Sequence, residues 1–265
     1  MNNKSRITSI LKTPTLDSSI TGIPSFNLSD LDHASDFDFP LPNGLRLGHL
    51  AEKIVSILIK SSLNYKVLYE SIQLFENERT IGELDFILLN QNTQQLLHVE
   101  LAYKFYLYDP GISSETINNW IGPNRNDLLK EKLDKTKSRQ FPLLYHKAAK
   151  SELDQLDINE ISQKLCLLIS LFVPYDAEIQ LPPGYRQAVI GYYLNLETFL
   201  GLDHAGKSFY LPHKREWGID PSENENWKND GEVHDQIRKS IDEKRSLLCW
   251  QKDEDSYSAF FIVWW

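Results

Sequence analysis

Thr80-Ile81-Gly82-Glu83-Leu84-Asp85-Phe86-Ile87-Leu88-Leu89, followed after a short polar break by Leu96-Leu97-His98-Val99-Glu100-Leu101-Ala102-Tyr103-Lys104, decides how this chain is expected to fold. Both runs are rich in Ile, Leu, Val and aromatic residues, and Asn90 to Gln95 supplies a turn, so two adjacent strands are predicted. Side chains alternate across a strand. Glu83 and Asp85 therefore share one face of the first strand, and His98, Glu100, Ala102 and Lys104 one face of the second. Carboxylates are thereby set in apolar surroundings, where an unpaired negative charge is costly. A hard cation relieves that cost, because Mg²⁺ takes oxygen ligands, commonly one or two carboxylates with phosphate and water. Asp85 and Glu100 are thus candidate metal ligands, with the Leu101 carbonyl a further oxygen, in a site suited to phosphodiester cleavage. The competing expectations are a solvated strand face for Asp85 and a cross-strand ion pair for Glu100. Glu83 is a further ligand, a neighbour of one, or a partner of Arg79. For His98 a hydrogen-bonded place in the sheet is expected ahead of a general-base role.

Working outward, Leu47, Leu50, Ala51, Ile54, Val55 and Leu58 have the spacing of an amphipathic helix, and Lys66 to Phe75 that of a strand. Asn126 to about Lys147 carries a helical pattern with Asp127 near its start and basic residues farther along, and Pro142 is expected to kink or end it. Helix, strand, strand, strand, helix predicts a mixed sheet with helices on its faces, an α/β (α+β) fold.

The segments Gly82-Glu-Leu-Asp-Phe86 and His98-Val-Glu-Leu-Ala-Tyr-Lys104 resemble the core of the PD-(D/E)XK nuclease superfamily, in which an Asp ending one strand and a Glu-x-Lys on the next build a metal site. Together with Arg46 to Lys53, Gly122 to Leu129 and Ser138 to Gln140, they are most similar to an uncharacterised bacterial family, domain-of-unknown-function family eighteen-fifty-three. The likeness spans roughly residues 40 to 145, with weaker echoes at His213 to Trp217. It implies a restriction-endonuclease-like core, Mg²⁺ or Mn²⁺ as cofactor and DNA as partner. It also implies roles for four further positions. Glu52, on the first helix, matches a glutamate aimed at the metal site. Lys132 and Gln140, on the helix after the strands, match polar residues that touch it. Lys104 matches the charge-stabilising lysine, but two positions late: Ala102 stands where that lysine is expected, and Lys104 lies about 13 Å along an ideal strand from Glu100. A β-bulge or a side chain reaching back would restore it; otherwise it is a surface lysine. Lys132, Thr136, Arg139 and Gln140 fall at helical spacing and can form one face; of these, Lys132, Arg139 and Gln140 are the candidate nucleic-acid contacts, against a solvated face for the outer lysines, where Asp127, Glu131 and Asp134 interleave.

Composition bounds the rest. The chain has 265 residues, 41% of them hydrophobic and 25% charged, with a net charge of -9, which argues mildly against a protein that coats nucleic acid nonspecifically. No apolar run approaches a membrane span and no secretory signal is visible, so a cytoplasmic protein with no membrane partner is expected. Cys166 and Cys249 lie in apolar runs and read as buried thiols. No glycine-rich phosphate loop or Gly-x-Ser-x-Gly elbow is present. Three regions are expected: over 1–40 a loosely ordered N-terminal arm or a lead-in with short elements, the nuclease-like core over 41–150, and a β-rich region over 151–265 that is either an accessory domain or an extension of the first sheet. In the last, strands are predicted at 161–173, 186–194, 208–211, 246–251 and 258–265, and a helix at 232–244. The aromatic residues Tyr192, Tyr193, Trp217, Trp227, Trp250, Trp264 and Trp265 suit its core better than base stacking. Nothing in the chain sets an oligomeric state. Two functions follow: a metal-dependent DNA nuclease, or a nuclease fold that has lost hydrolysis with the shifted lysine and binds nucleic acid or protein.

Overall fold

Apolar residues three and four apart make Leu47–Ser61 an amphipathic helix, and Leu50, Ile54, Val55, Leu58 and Ile59 are wholly buried. The computed structural model describes residues 3–32, 37 and 39–265; the remaining residues of the N-terminal arm lie outside the described ones. In chain order the helices are α1 (Asn3–Lys12), α2 (Ser18–Thr21), α3 (Leu47–Ser61), α4 (Leu129–Lys135), α5 (Lys147–Glu152), α6 (Pro183–Arg186), α7 (Leu196–Gly201) and α8 (Asp230–Asp242). The strands are β1 (Tyr65–Glu76), β2 (Arg79–Asn90), β3 (Leu96–Tyr108), β4 (Trp120–Ile121), β5 (Ile161–Pro174), β6 (Val189–Asn195), β7 (Lys207–Tyr210), β8 (Leu247–Asp253) and β9 (Ser256–Val263). Parallel and antiparallel pairs both occur, so the expected mixed α+β architecture is borne out. Among the described residues no helix is long and apolar enough to cross a membrane.

The chain forms two compact units built from interleaved segments, where a serial division at residues 40 and 150 was expected. One unit comprises residues 10–103 and 131–168. Its strands follow the order β1-β2-β3-β5. β1 and β2 form a hairpin closed by Glu76 and Arg79, with Asn77 and Glu78 both at positive φ (48° and 61°) as a two-residue turn matched to strand twist requires. The predicted polar break is an Asx turn, in which Asn90 Oδ1 accepts from the amides of Asn92 and Thr93. α3 packs on β1. Leu74, Leu84 and Ile87 bury against Leu144, Ala149 and Leu153 from the segment after α4. The N-terminal lead-in carries α2 and buries Ile10, Leu16, Ile23, Phe26 and Leu28.

The helix predicted over 126–147 is not continuous. α4 ends at Lys135, a π-helical turn spans Thr136–Gln140, a 3-10 stretch Phe141–Tyr145, and α5 follows. Pro142 has no N–H to continue an α-helix and sits at the start of the 3-10 stretch. That stretch lies close on β2: a Cβ at Gly82 would stand 2.3 Å from Leu143 Cδ1. A side chain there is accommodated only if the Leu143 side chain shifts.

The other unit takes residues up to Ser9, 104–130 and 169–265. β6 and β9 pair in parallel, β9 and β8 antiparallel, and β8 and β7 antiparallel. α7 and α8 close a core of Phe199, Phe209, Val233, Ile237, Phe260 and Ile262. α8 starts on a capping box, Asn229 with Glu232. All the strands predicted after residue 150 are present, as is α8. The aromatics pack internally: Trp217 edge-on to Phe261 (4.9 Å) and Tyr192 stacked on Phe260 (5.1 Å). The His213–Trp217 segment forms a 3-10 turn whose Arg215 and Trp217 carbonyls accept from the buried Arg6 guanidinium.

Candidate active site

β2 and β3 pair from Leu89↔Leu96 as far as Phe86↔Val99, beyond which no further pair joins them. Asp85 and Glu100 are the next residue on each strand, so the two carboxylates stand at the fork where the ladder opens. The Leu101 amide, no longer served by the neighbouring strand, donates instead to Asp85 Oδ2 at 2.7 Å. Sequence alternation alone placed these residues on facing positions; the opening of the ladder places them at a cleft.

Glu100 is completely buried. Its Oε2 accepts from Gln140 Nε2 at 2.6 Å and its Oε1 is 2.9 Å from His98 Nε2. The partners fix both donors. Gln140 Oε1 accepts from Lys132 Nζ (3.0 Å) and lies 3.1 Å from Thr136 Oγ1, which leaves the amide nitrogen toward Glu100. Gln163 Nε2 donates to the Phe141 carbonyl at 2.8 Å, which identifies its nitrogen end; its second contact, 3.1 Å to His98 Nδ1, is then a donation into the ring lone pair. His98 consequently carries its proton on Nε2, donates it to Glu100, and is neutral. Glu100 thus receives two hydrogen bonds without a compensating positive charge, and His98 has the hydrogen-bonded sheet role expected of it.

The electrostatics follow. Neither Asp85 nor Glu100 forms an ion pair with Lys or Arg among the described residues. Burial, and after it the Glu100 charge, push the Asp85 carboxyl from 3.8 up to about 8; Glu52 adds to the rise, while the Leu101 amide and Lys132 oppose it. The buried Cys166 thiol is raised to about 12, chiefly by burial and further by Asp85, and is inert as a nucleophile.

A cavity of about 340 Å³ opens against Asp85, lined among others by Glu52, Lys53, Ser56, Glu70 and Ser71. Glu52 is partly exposed and 3.1 Å from His49 Nδ1. Burial would raise the Glu70 carboxyl, but hydrogen bonds from Lys60 and Ser56 and the charges of Lys60 and Lys53 hold it below its ordinary value. Ser71, on the cavity wall, has φ +53°, an uncommon conformation for a residue with a side chain.

Of the residues singled out from sequence, Asp85, Glu100, Lys132 and Gln140 are brought into one network, and Glu52 shares the cavity with Asp85. Arg139 is exposed and has no partner among the described residues. Lys104 is engaged elsewhere: its Nζ is 2.8 Å from Asp127 Oδ2, and the Tyr106 hydroxyl lies 3.3 Å from the same oxygen. Two contributors lie outside the sequence reading. Lys53 directly follows Glu52 in the quoted Arg46–Lys53 segment, and is the signal most within reach of the sequence. Gln163 acts through long-range geometry that no local pattern announces, whereas Thr136, at helical spacing with Lys132 and Gln140, joins the network with them. Among the described residues no three His, Cys, Asp or Glu side chains are grouped to hold a metal by themselves. Two oxygen-bearing carboxylates do fit Mg²⁺, which keeps several waters and completes its shell with substrate phosphate.

A family model described as Domain of unknown function (DUF1853) matches residues 28–257. The chain belongs to this family. Every motif quoted above, from Arg46 to Trp217, lies within the span that defines DUF1853 here. No curated protein and no solved structure matches the chain.

Proposed function

We propose that the chain is a metal-dependent nuclease that hydrolyses DNA phosphodiester bonds, and that DUF1853 belongs with the PD-(D/E)XK superfamily. The observation that carries this is the Asp85–Glu100 pair: two carboxyl groups at a strand fork, Glu100 fully buried and Asp85 held above its ordinary pKa by burial and then by the Glu100 charge, with hydrogen bonds but no ion pair to a Lys or Arg among the described residues. Such a pair is unfavourable as it stands and becomes favourable with a divalent cation between its oxygens. Mg²⁺ or Mn²⁺ held by Asp85 and Glu100 would polarise a phosphoryl oxygen and lower the pKa of bound water.

The remaining residues have definable tasks. Gln140 and His98 hold Glu100 in one orientation, and Lys132 fixes Gln140 in turn. Glu52, at the border of the cavity, takes up a proton or adds a carboxylate. Lys132 and Lys53 supply positive charge toward a phosphate. Buried, unbridged Cys166 and Cys249 suit a reducing cytoplasm.

The test is incubation of linear, circular and branched DNA with Mn²⁺, comparing wild type with Glu100→Ala. Cutting by wild type alone supports the proposal; equal cutting by both reveals contamination. The Lys104–Asp127 pair favours a second reading, a nuclease fold that binds nucleic acid or protein without hydrolysis. Metal-independent DNA binding with no cut on any substrate would establish it.

A further inference from the structure

A second cavity, of about 350 Å³, is lined by Gly22, Ile23, Pro24, Lys137, Phe141, Pro142, Tyr145 and Gln163. Its volume is at the small end of ligand sites, enough for one nucleotide-sized molecule. Its chemistry is specific in three ways. Ile23, Pro24, Phe141, Pro142 and Tyr145 make most of the wall apolar, and Tyr145 is 47% exposed. The Lys137 ammonium sits over Gly22, 2.8 Å from where a Cβ would be, and has no hydrogen-bond or ion-pair partner among the described residues. Gln163 spends its nitrogen on His98 and Phe141, so its Oε1 takes no hydrogen bond among the described residues and is available as an acceptor.

A planar ring, an N–H donor on its edge and an attached anion would satisfy all three features at once. A nucleobase carrying a phosphate has that combination. We propose that this cavity binds one unpaired nucleotide of a DNA strand, with the base against Tyr145 and Pro142, an exocyclic or ring N–H on Gln163 Oε1, and the phosphate on Lys137. Base–aromatic contact tolerates any base, and an ammonium positions a phosphate without reading sequence. The proposal rests on the nuclease reading for the origin of the nucleotide. It adds that the protein prefers strands with an end or an unpaired base. The same side chains tie the two sites together: Gln163 sets the His98 tautomer, and Phe141 lies edge-on to the His98 ring at 5.7 Å.

The experiment is calorimetric titration of the full chain in EDTA with deoxyadenosine monophosphate, deoxyadenosine, inorganic phosphate and a single-stranded oligodeoxynucleotide. Wild type should bind the monophosphate saturably and the oligonucleotide more tightly. Lys137→Met should weaken the monophosphate about tenfold and leave deoxyadenosine unchanged. Tyr145→Ala should weaken both about tenfold. Both substitutions are at exposed side chains, and unchanged melting temperatures verify the fold. Asp85→Asn should bind as wild type does, so a failed nuclease reading leaves this result standing. No saturable binding of either nucleotide probe, or binding indifferent to both substitutions, overturns the site. Monophosphate binding that the oligonucleotide fails to displace overturns its assignment to a strand.

Discussion

Glu100 and Lys104 lie four residues apart on β3, and the structure treats their charges in opposite ways. Lys104 meets Asp127 at 2.8 Å, half in solvent, with a tyrosine hydroxyl on the same carboxylate. Glu100 meets another carboxylate in the interior and is given neutral donors only. The first is what folding does with charge when nothing else is asked of it: pairing at the surface, for little gain and little cost. The second costs stability, yet Gln140, His98, Lys132, Thr136 and Gln163 hold it in place, which makes it a candidate functional site. The comparison also moves the weight of the site away from the lysine that the sequence offered and toward Lys132 and Lys53.

The sharpest way to break that comparison is metal binding. Mg²⁺ or Mn²⁺ at about a hundred times its dissociation constant should stabilise wild type by about 2.7 kcal/mol in thermal or denaturant unfolding. Asp85→Asn should abolish the gain, whereas Lys104→Met should retain it. Equal stabilisation of wild type and Asp85→Asn would remove Asp85 from the metal site.

A pH titration comes next. The unfolded chain releases the Asp85 proton near 3.8, and the folded protein keeps it to about 8. Between these values the folded state binds more protons, so raising the pH favours unfolding. This group alone should lower stability by up to about 1.4 kcal/mol per pH unit across that window, levelling off above it. Asp85→Asn should flatten the slope, and so should saturating Mg²⁺, which keeps the carboxylate ionised. A wild type and Asp85→Asn with parallel curves would show that folding does not raise the Asp85 carboxyl.

Smaller effects separate scaffold from site. Gly82→Ala drives a methyl into Leu143 and should destabilise by about 1 kcal/mol or somewhat more. It should also reduce metal affinity by shifting the segment that presents Gln140. Adding Leu143→Ala should restore the affinity. Loss of stability with unchanged metal affinity would show that the close approach serves packing alone. Smallest of all, Lys104→Met should change stability by less than about 1 kcal/mol, and less still in high salt, as befits a half-exposed pair.

Alternation and turn chemistry were strong enough in this chain to make β1, β2, β3 and the later strands readable, because a strand half-buried in a sheet must show its periodicity locally. The helical spacing of Leu47 to Leu58 was readable for the same reason. The segment after α4 was not, since a π-turn followed by 3-10 backbone keeps helical composition while rotating its side chains off the helical register. Lys132, Thr136 and Gln140 share the site through that rotation, and Arg139, grouped with them on an ideal helix, is left outside. Gln163 was beyond reach because its partner His98 is 65 residues away in the chain.

By itself, then, the amino-acid order determined which residues are strands, which carboxylates share a face and which family the motifs resemble, since these depend on neighbours two to four positions apart. Tertiary structure decided that the β2–β3 ladder opens at Asp85 and Glu100, that His98 is neutral, and that Lys104 is already spoken for by Asp127. Each of those turns on the burial of a charge or the nearest donor across space, and neither quantity is written in local sequence.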